Sequence, residues 1–583
     1  MPTLEWIGKS KVINHHQEVP FRVLERRYSY DEHGQHEEDN GSENMIIRGD
    51  NLEALKALLP RYEGRVKCIY IDPPYNTGNE GWVYNDNVND PKIKKWLGEV
   101  VGKEGEDLTR HDKWLCMMYP RLKLLQKLLA EDGVIFISID DTEYANLKLI
   151  CDEIFGSNCF VTNISWQRTY STRNDSKGIV NEVEHLLVYS KLPDWNPNKL
   201  PRTVEMNSKY KNPDNDRTLW RTDNAFAPGA ATHQGMVYAI QHPFTGKMLY
   251  PANGRCWTFG QDQMLEIMRG WCDYELRDLN DAHERAVVCG VADEDVRQGV
   301  QAIVLAEPLD VSAKKAQAVY ERGQWPRFFF TKGGKGGIAR KTYLENVGGK
   351  LPTNFWPFSE TGHTDEAKKE MLAIFDGKAT FDTPKPRRLL EFVLKVAGSE
   401  DALVLDSFAG SGTTAHAVLN MNKADGGHRK FILVEMMDYA DSITAERVKR
   451  VIQGYGEGKN AVEGTGGNFS FYDLGEPLLV GDCLNEAIAP EKIREYIWFT
   501  ETKTPYTPPA GGNPYYLGKH NSTGYYFYYE PQRVTVLDYA FLATIKEKAD
   551  GTVIYADRCS IGEDKLAQMG ITFKKIPRDI SRL

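Results

Sequence analysis

The sequence lacks several patterns that would assign the protein to a special class. Its nine cysteines are scattered without a C-x-x-C pair, which argues against a zinc cluster or a disulfide framework and favours a reducing cytoplasm. No apolar run approaches the roughly 18 residues that suggest a membrane span. The first residues, MPTLEWIGKSKVINHHQEVP, do not have the basic and then apolar layout of a signal peptide. We therefore expect a cytoplasmic protein without membrane contact.

The chain also lacks a general excess of positive charge. Lysine and arginine together number 72, aspartate and glutamate 82, and the formal net charge is −10. This balance excludes a protein that is basic over its whole surface, although a local basic cleft can still bind nucleic acid. The 583 residues, of which 41% are apolar and 26% charged, are typical of a globular protein and long enough for about four domains.

Helix and strand patterns alternate in two separate parts of the chain, residues 44–194 and residues 376–475. Such alternation predicts an α/β fold with a mostly parallel sheet. Residues 195–375 interrupt it and are rich in turn residues, aromatics and cations. Residues 1–43 show no clear periodicity and are predicted to form an N-terminal arm, whose histidines do not have the spacing of metal ligands. Residues 476–583 are predicted to form a small C-terminal α/β domain.

One amphipathic helix is predicted in the first α/β part. Four apolar residues recur there at helical spacing before the strand VIFISID: Met118, Leu122, Leu125 and Leu129. Gly133 is expected to end this helix. Between the strand VKCIYI and the helix lies a long polar connection, residues 79–112. Connections of this length are usually functional or mobile.

The stretch LVLDSFAGSGTTAHAVL, residues 403–419, is predicted to be a strand, a glycine turn and a helix. Gly410, Gly412 and Ala415 have the G-x-G-x-x-A spacing of a dinucleotide-binding turn, and Glu435 follows 20 residues after Ala415. A single match to this spacing is a weak signal. The ligand of the turn therefore has to be inferred from the neighbouring residues.

The residue at the end of that strand, Asp406, separates two interpretations of the turn. Its carboxylate would repel a pyrophosphate at the helix N-terminus, as in a nicotinamide-dependent oxidoreductase, but would attract an ammonium group. S-adenosylmethionine carries an amino-acid head and a sulfonium and no phosphate, so Asp406 favours this methyl donor. Glu435, at the tip of the next strand, can then accept hydrogen bonds from the ribose hydroxyls. The oxidoreductase is the less favoured alternative.

A second motif, CIYIDPPYNTG at residues 68–78, places an acid, two prolines and a tyrosine after a buried strand. An exocyclic amino group of adenine or cytosine is a poor nucleophile because its lone pair is delocalised into the ring. Asp72 and the carbonyl of Pro73, held by two consecutive prolines, can accept its two N–H bonds and localise that lone pair. The ring of Tyr75 can stack on a base extruded from the duplex. The alternative is a simple strand-ending turn.

The order of these motifs, D-P-P-Y before F-x-G-x-G, resembles the β group of amino-group DNA methyltransferases, most of which methylate the N6 of adenine. Longer stretches resemble the modification subunits of type III restriction–modification systems and cover most of the chain from residue 4 to about residue 440: LEWIGKSKVINHHQEVPF, DPPYNTGNEGWVYNDN, WLCMMYPRLKLL, TGHTDEAKKEM and TPKPRRLLEFVL. The resemblance implies a Rossmann-like methyltransferase domain, formed by residues 44–194 and 376–475, with an inserted target recognition domain. It also implies S-adenosylmethionine as cofactor, double-stranded DNA as substrate and a homodimer.

The resemblance assigns roles to individual residues. It implies catalysis by Asp72, Pro73, Pro74 and Tyr75. It implies that a larger set binds the methyl donor: Asp406, Phe408, Gly410, Ser411, Gly412, Thr413 and Glu435, with help from Lys385 and Pro386. Asp50 in the stretch GDNL is a further candidate for contact with the donor's adenine, although a helix N-cap explains this residue nearly as well.

The inserted residues 195–375 are expected to carry sequence specificity, because cations and aromatics are interleaved there. Asp72 and Asp406 lie far apart in the sequence yet must meet at one site, so an insertion between them should emerge beside that site. Candidate phosphate contacts lie around four glycines: Lys332, Lys335, Arg340 and Lys341. The alternative is a structural insertion with a solvated charged surface.

The sequence contains no G-x-x-x-x-G-K-[ST] motif and no visible nuclease carboxylate cluster. The chain is therefore not expected to move along DNA or to cut it by itself. Either a separate restriction subunit exists, or the protein is a stand-alone adenine methyltransferase. The N4 amine of cytosine would suit the same pair of acceptors, so an N4-cytosine methyltransferase is a further alternative.

Overall fold

The computed structural model of the chain describes residues 3–77, 95, 110–170 and 179–578. The chain divides into two units. The larger unit combines Met1–Asn198 with Pro352–Leu583, and the smaller unit is Lys199–Leu351. Most of the predicted polar connection lies outside the described residues. In the part of the chain that the structure describes, no helix is both long enough and apolar enough to cross a membrane.

A mixed sheet of 11 strands forms the centre of the larger unit. In spatial order its strands are Phe355–Trp356, Phe160–Gln167, Val183–Ser190, Leu129–Ile139, Val66–Ile71, Leu403–Asp406, Lys430–Glu435, Met45–Arg48, Phe469–Pro477, Arg22–Asp31 and Gly34–His36. The strands from the fourth to the ninth of this series run parallel to one another. The predicted α/β fold with a mostly parallel sheet is therefore confirmed.

Helices connect these strands and cover the sheet. The helices of the larger unit are Lys9–Val12, His15–Glu18, Asn51–Tyr62, Arg110–Leu128, Tyr144–Phe155, Phe358–Thr361, Thr364–Ile374, Arg387–Ala397, Thr413–Asp425, Glu446–Gln453, Pro490–Thr502, Tyr539–Leu542 and Glu563–Gln568. Asp50 caps the third of them, because its carboxylate accepts hydrogen bonds from the backbone N–H groups of Leu52 and Glu53. The core packed against the sheet is made mainly of leucine, isoleucine, valine and aromatic side chains, with some methionine, cysteine and alanine.

The predicted amphipathic helix ends earlier than its sequence pattern. It spans Arg110–Leu128, and Leu129 is already the first residue of the next strand. Leu129 pairs with Val66, and a register shift then follows before the regular ladder begins. Because apolar residues continue across the junction, hydrophobic periodicity alone could not locate this boundary. Gly133 lies within the strand and does not end the helix.

Residues 1–43 do not form a separate arm. The strand Arg22–Asp31 belongs to the central sheet and pairs in antiparallel fashion with Phe469–Pro477. Two register shifts interrupt this pairing, one before Leu24 and one before Tyr28. Each shift breaks the two-residue alternation that identifies a strand in a sequence, so residues 22–31 lack a regular strand pattern.

The C-terminal residues form a second, smaller sheet within the larger unit. Its strands in spatial order are Tyr516–His520, Thr523–Phe527, Gly551–Ala556 and Ile571–Lys575. Shorter ladders accompany it: Gly454–Tyr455 with Val462–Glu463, Leu479–Val480 with Cys483–Leu484, and Val536–Leu537 with Arg558–Cys559. Glu495 pairs with Arg61, and the ring of Tyr496 lies 4.8 Å from that of Phe21. These contacts attach the C-terminal part to the beginning of the chain.

The smaller unit ends before the predicted boundary at residue 375. The helices Phe358–Thr361 and Thr364–Ile374 belong to the larger unit. The smaller unit has the strands Trp220–Asn224, Phe226–Pro228, Ile240–Gln241, Met248–Leu249, Arg255–Trp257, Tyr274–Arg277, Ala302–Leu305, Phe328–Phe330 and Ile338–Tyr343, and the helices Val204–Asn207, Gln261–Met268, Ala282–Cys289 and Leu309–Arg322. Many of its aromatic side chains, including those of Trp220 and Trp257, are buried in its core.

Lys341 is buried in the smaller unit and does not lie on its surface. Its side chain is 0% exposed, and its Nζ lies 2.5 Å from Oδ2 of Asp214 and 2.6 Å from Oδ2 of Asp216. It also donates a hydrogen bond to the carbonyl of Trp325 at 2.7 Å. The prediction that Lys341 contacts DNA phosphate is therefore wrong, because its charge is already used inside the fold.

We predict that Lys341→Met destabilises the smaller unit. The substitution keeps most of the side-chain volume but leaves Asp214 and Asp216 without their ammonium partner. Breaking a buried ion pair from one side costs about 3–5 kcal/mol, so scanning calorimetry should show a clearly lower unfolding temperature. Lys335→Met, at an exposed lysine of the same unit, is the control. An unchanged transition in Lys341→Met would contradict the structural role.

Candidate functional site

The two sequence motifs meet at one edge of the central sheet. The strands Val66–Ile71 and Leu403–Asp406 are parallel neighbours, with Leu405 opposite Ile69. The carboxyl ends of parallel strands open at the same edge, which is the usual place for a ligand in an α/β sheet. Asp72 follows the first strand and Asp406 ends the second, and both line the same cleft.

Predicted site residues make up much of that cleft. Those that line it are Asp72, Lys385, Asp406, Phe408, Gly410, Ser411 and Thr413. The other predicted residues of the larger unit are not part of its lining: Asp50, Pro73, Pro74, Tyr75, Pro386, Gly412 and Glu435. Phe381 and Thr414 also line the cleft and were not predicted. Among the described residues, no group of three or more histidine, cysteine, aspartate or glutamate side chains could hold a metal ion.

A cluster of four polar side chains is formed by Asp72, Tyr75, Glu184 and Lys385. The hydroxyl of Tyr75 lies 2.7 Å from Oδ1 of Asp72 and 2.6 Å from Oε1 of Glu184. The ammonium group of Lys385 lies 2.9 Å from both carboxylate oxygens of Asp72, 2.8 Å from the Tyr75 hydroxyl and 3.1 Å from Glu184. Lys385 was assigned to donor binding, and the structure also places it directly on the predicted catalytic carboxylate.

Burial and charge shift the pKa values of this cluster in a consistent direction. Burial raises the pKa of Asp72, and the nearby Glu184 raises it further, while Lys385 opposes both effects. Burial alone would lower the pKa of Lys385, but the carboxylates of Asp72 and Glu184 raise it above its ordinary value. Burial, followed by the charge of Asp72, also raises the pKa of Tyr75. Lys385 is therefore charged and Tyr75 protonated at neutral pH.

The two prolines of the motif have different carbonyl environments. The indole N–H of Trp114 donates a hydrogen bond of 2.7 Å to the carbonyl of Pro74. No described residue donates a hydrogen bond to the carbonyl of Pro73. Two residues after Pro74, Asn76 has a left-handed backbone with φ 60° and donates a hydrogen bond to Glu143 at 2.6 Å. This geometry agrees with Pro73 as an acceptor for a ligand, and that role stays a prediction.

The acids of the glycine turn are buried and hold its backbone. Asp406 accepts hydrogen bonds from the N–H of Phe408 at 3.0 Å and from the hydroxyl of Thr414 at 2.6 Å. Glu435 accepts from the N–H of Gly410 at 2.8 Å and from that of Met437 at 3.0 Å. Burial raises the pKa of Asp406 and that of Glu435 to about 7 each. Such shifted carboxyl groups are frequent at functional sites.

Glycine is required at the turn for steric reasons. Gly410 and Gly412 have φ values of 51° and 78°, in the left-handed region that glycine tolerates best. A Cβ atom at Gly412 would lie 2.9 Å from the carbonyl oxygen of Thr444, and one at Gly410 would lie 3.2 Å from the ring of Phe381. The turn thus packs against the following chain on one side and leaves a narrow cradle beside Phe381 on the other.

Sequence reasoning missed a buried arginine that supports the turn. Arg447 donates hydrogen bonds to the hydroxyls of Ser411 at 3.0 Å and Thr413 at 2.7 Å, and it contacts Glu370 at 3.2 Å. It lies on the helix Glu446–Gln453, well beyond the motif. The sequence does contain one signal for this role: Arg447 occupies a position on the apolar face of a strongly amphipathic helix, where an arginine needs buried partners.

The predicted DNA contacts differ in their accessibility. Lys332 and Lys335 are exposed on the loop between the strands Phe328–Phe330 and Ile338–Tyr343. Arg340 is partly buried, and its guanidinium lies 3.4 Å from Asp223. The loop lysines form no ion pair with another described residue, so they are better candidates for an external anion than Arg340.

The family model for N6 and N4 methyltransferases, described as DNA methylase, matches residues 66–446. The StyLTI Mod subunit, a type III restriction–modification enzyme of Salmonella typhimurium, is 34% identical over 446 residues, which are 72% of this chain and 58% of that protein. The EcoPI Mod subunit of Escherichia phage P1 is 30% identical over 470 residues, 74% of this chain and 63% of that protein. The chain thus spans less than two thirds of the length of either Mod subunit.

A type II enzyme is similar over more of its own length. The type II methyltransferase M.KpnI of Klebsiella pneumoniae is 30% identical over 406 residues, which are 68% of this chain and 81% of that protein. The match to the family model includes both strand ends and the residues between them.

We predict that Asp406→Asn makes the stability of the protein less dependent on pH. The folded parent keeps a proton on Asp406 up to about pH 7, whereas the unfolded chain releases it near the ordinary value of 3.8. The unfolding free energy of the parent therefore falls as the pH rises through this range, and a side chain that cannot ionise does not contribute to the fall.

The measurement is the unfolding temperature of parent and variant from about pH 5 to about pH 8. As the pH rises, the unfolding temperature of Asp406→Asn should increase relative to that of the parent. The variant Asp401→Asn, at an exposed acid, should show the same pH dependence as the parent. Identical pH dependence in the parent and Asp406→Asn would contradict the buried, proton-holding carboxyl group.

Proposed function

The chain belongs to the N6/N4 DNA methylase family, and we propose that it transfers a methyl group from S-adenosylmethionine to the N6 amino group of adenine in double-stranded DNA. The observation that carries the proposal is the position of Asp72 and Asp406, which line one cleft at one edge of the sheet. One carboxylate suits the amino group that receives the methyl group, and the other suits the amino-acid head of the donor.

The acceptor side of the cleft provides the groups that an exocyclic amine requires. The carboxylate of Asp72 and the carbonyl of Pro73 accept the two N–H bonds of the amine and localise its lone pair on nitrogen. The ring of Tyr75 stacks on the base after it leaves the duplex. Extrusion costs a few kcal/mol, and one stacking contact returns about 1–3 kcal/mol of this.

The donor side fits S-adenosylmethionine by chemistry and by shape. Asp406 offers a carboxylate to the ammonium group, and Glu435 offers one to the ribose hydroxyls. The cradle beside Gly410 exists only because this residue has no Cβ atom, which would contact Phe381. Ser407, between Asp406 and Phe408, has a buried hydroxyl with no hydrogen-bond partner among the described residues, and it is not part of the cleft lining. When bound there, the donor supplies an electrophilic methyl group.

We propose adenine as the target base on the strength of the motif order. An N4-cytosine methyltransferase is the alternative, because both amines suit the same pair of acceptors. Analysis of the methylated nucleoside separates the two.

We further propose that the protein acts as the modification subunit of a type III restriction–modification system, as a homodimer and with a separate restriction subunit. The Mod subunits named above support this assignment. A stand-alone methyltransferase is the second candidate, and it is favoured by the similarity to M.KpnI, which extends over 81% of that enzyme. Purification of the protein together with its neighbouring gene products would distinguish the two candidates.

The smaller unit, Lys199–Leu351, is proposed as the target recognition domain. Exposed lysines on a glycine-rich loop suit phosphate contacts, because glycines let the backbone approach the duplex closely. The internal aromatics of this unit support its fold and leave base recognition to its polar surface.

The function is tested by expressing the protein in a host that has no DNA methylases. Mass analysis of the host's nucleosides should show N6-methyladenine for the parent and none for Asp72→Ala, because the variant lacks the carboxylate that faces the amine. Calorimetry should show that Asp72→Ala still binds S-adenosylmethionine with an affinity close to the parent. Asp401→Ala, at an exposed acid, is the activity control.

Three results would change the proposal. N4-methylcytosine without N6-methyladenine would identify the cytosine enzyme. Substantial turnover by Asp72→Ala would exclude the acceptor role of this residue. Binding of a nicotinamide cofactor without S-adenosylmethionine binding would support the oxidoreductase instead.

We predict that Lys332→Ala and Lys335→Ala weaken binding to all DNA sequences. Each should reduce the slope of affinity against salt concentration by about one unit, because one phosphate contact is lost. Lys314→Ala, at an exposed lysine on a helix of the same unit, is the control. An unchanged slope in both loop variants would exclude this loop from the DNA interface.

A further inference from the structure

Glu184 is a buried carboxylate to which neither motif assigns a role. It follows Val183 at the start of the strand Val183–Ser190, which is the antiparallel neighbour of Leu129–Ile139. Its Oε1 lies 2.6 Å from the hydroxyl of Tyr75 and 3.1 Å from the ammonium group of Lys385. Glu184 therefore contacts two groups, Tyr75 and Lys385, that also contact Asp72.

The cluster has an outer and an inner carboxylate. The side chain of Asp72 is 25% exposed and lines the cleft, whereas that of Glu184 is 5% exposed. Lys385, at 13% exposure, lies against both. Glu184 does not line the cleft, and it contacts Tyr75 and Lys385, which also contact Asp72. Its influence on a reaction there has to act through these groups.

Without Glu184, the cluster would have no net negative charge to stabilise the positive charge that methyl transfer places on the target amine. As the lone pair of the target amine forms its bond to the methyl carbon, positive charge develops on that nitrogen. Asp72 alone would stabilise this charge, but Lys385 contacts both of its oxygens and cancels its charge. Counted among the described residues, the carboxylates of Asp72 and Glu184 and the ammonium group of Lys385 together carry one net negative charge.

We infer that Glu184 is a positioning residue that holds Lys385 and keeps the acceptor side of the site negatively charged during methyl transfer. This inference rests on the proposed function. In the transfer, the nitrogen lone pair forms the carbon–nitrogen bond, the electrons of the carbon–sulfur bond remain on sulfur, and the amine proton passes to Asp72. A site with one net negative charge favours both the charge on nitrogen and the departure of that proton.

The groups that face the cluster support this charge balance. Tyr70 and Tyr75 are neutral, since burial raises the pKa of each hydroxyl well above its ordinary value. Arg168 lies 3.8 Å from the second oxygen of Glu184, but its side chain is 38% exposed, so solvent screens its charge. Asp406 adds a further nearby carboxyl group from the donor side. Lys385 is thus the one ammonium group that touches Asp72 among the described residues.

We predict that Glu184→Gln slows methyl transfer without weakening binding. The substitution keeps the shape and the contact with Tyr75 but removes one charge. The single-turnover rate should fall on the order of tenfold, which is less than the roughly hundredfold to thousandfold loss when a direct transition-state donor is removed, because Glu184 acts through Lys385. Affinities for S-adenosylmethionine and for duplex DNA should change by less than about threefold. Glu182→Gln, at a less buried glutamate two residues earlier, should retain the rate of the parent.

The pH profile separates an electrostatic role from a merely structural one. Glu184 raises the pKa of Asp72, so its neutralisation should lower that pKa. Because only ionised Asp72 accepts the amine, the acid limb of the rate profile should move to lower pH in Glu184→Gln. A structural role would reduce the rate at every pH and leave the acid limb in place.

Restoring the charge provides the second test. Lys385→Met in the Glu184→Gln background returns one net negative charge to the cluster, so the double variant should transfer methyl faster than Glu184→Gln. A slower double variant, a parental rate in Glu184→Gln, or a loss of its DNA or donor binding would each overturn the inference.

A parent protein that methylates no DNA would contradict the proposed function by itself. Infrared titration of the Asp72 carboxyl band, identified by its absence in Asp72→Asn, then still tests the coupling. An equal titration midpoint in the parent and in Glu184→Gln would overturn it, and a lower midpoint in the variant would support it.

Discussion

The geometry of the site depends on the pairing of two strands that are distant in the sequence, Val66–Ile71 and Leu403–Asp406. Because they are parallel neighbours at the centre of the sheet, the chain that leaves each strand opens at the same edge. Asp72 comes from the first strand and the glycine turn from the second. A register slip of one residue would turn the side chains of a strand to the opposite face, so the whole cleft is fixed by this one ladder.

Lys385 connects the two halves of the cleft that this ladder brings together. Its ammonium group contacts Asp72, and its backbone carbonyl accepts a hydrogen bond from the hydroxyl of Thr413 at 3.3 Å. Thr413 in turn receives a hydrogen bond from the buried Arg447. Lys385 thus contacts both the acceptor carboxylate and the turn that is proposed to hold the donor. A change on one side of the cleft is therefore expected to affect the other side.

The buried carboxylates that are proposed to bind the donor lower the stability of the folded protein. Removing a carboxylate from water is unfavourable unless hydrogen bonds or cations compensate. The hydrogen bonds that Asp406 and Glu435 accept, from the Thr414 hydroxyl and from backbone N–H groups, compensate only in part, so burial still raises the pKa of each to about 7. The apolar core that packs against the sheet provides the stability that lets the larger unit hold these groups in place.

The sequence by itself determined the local parts of the protein: the alternating helices and strands, the rigid turn after Ile71, the glycine turn and the cap at Asp50. Each depends on a short run of residues, in which proline, glycine or the spacing of apolar side chains determines the local backbone conformation. Only the tertiary structure decided that Glu184 reaches Tyr75 and that Lys341 is buried. These facts depend on contacts between residues far apart in the chain, and local periodicity carries no information about which distant partner a buried charge will meet.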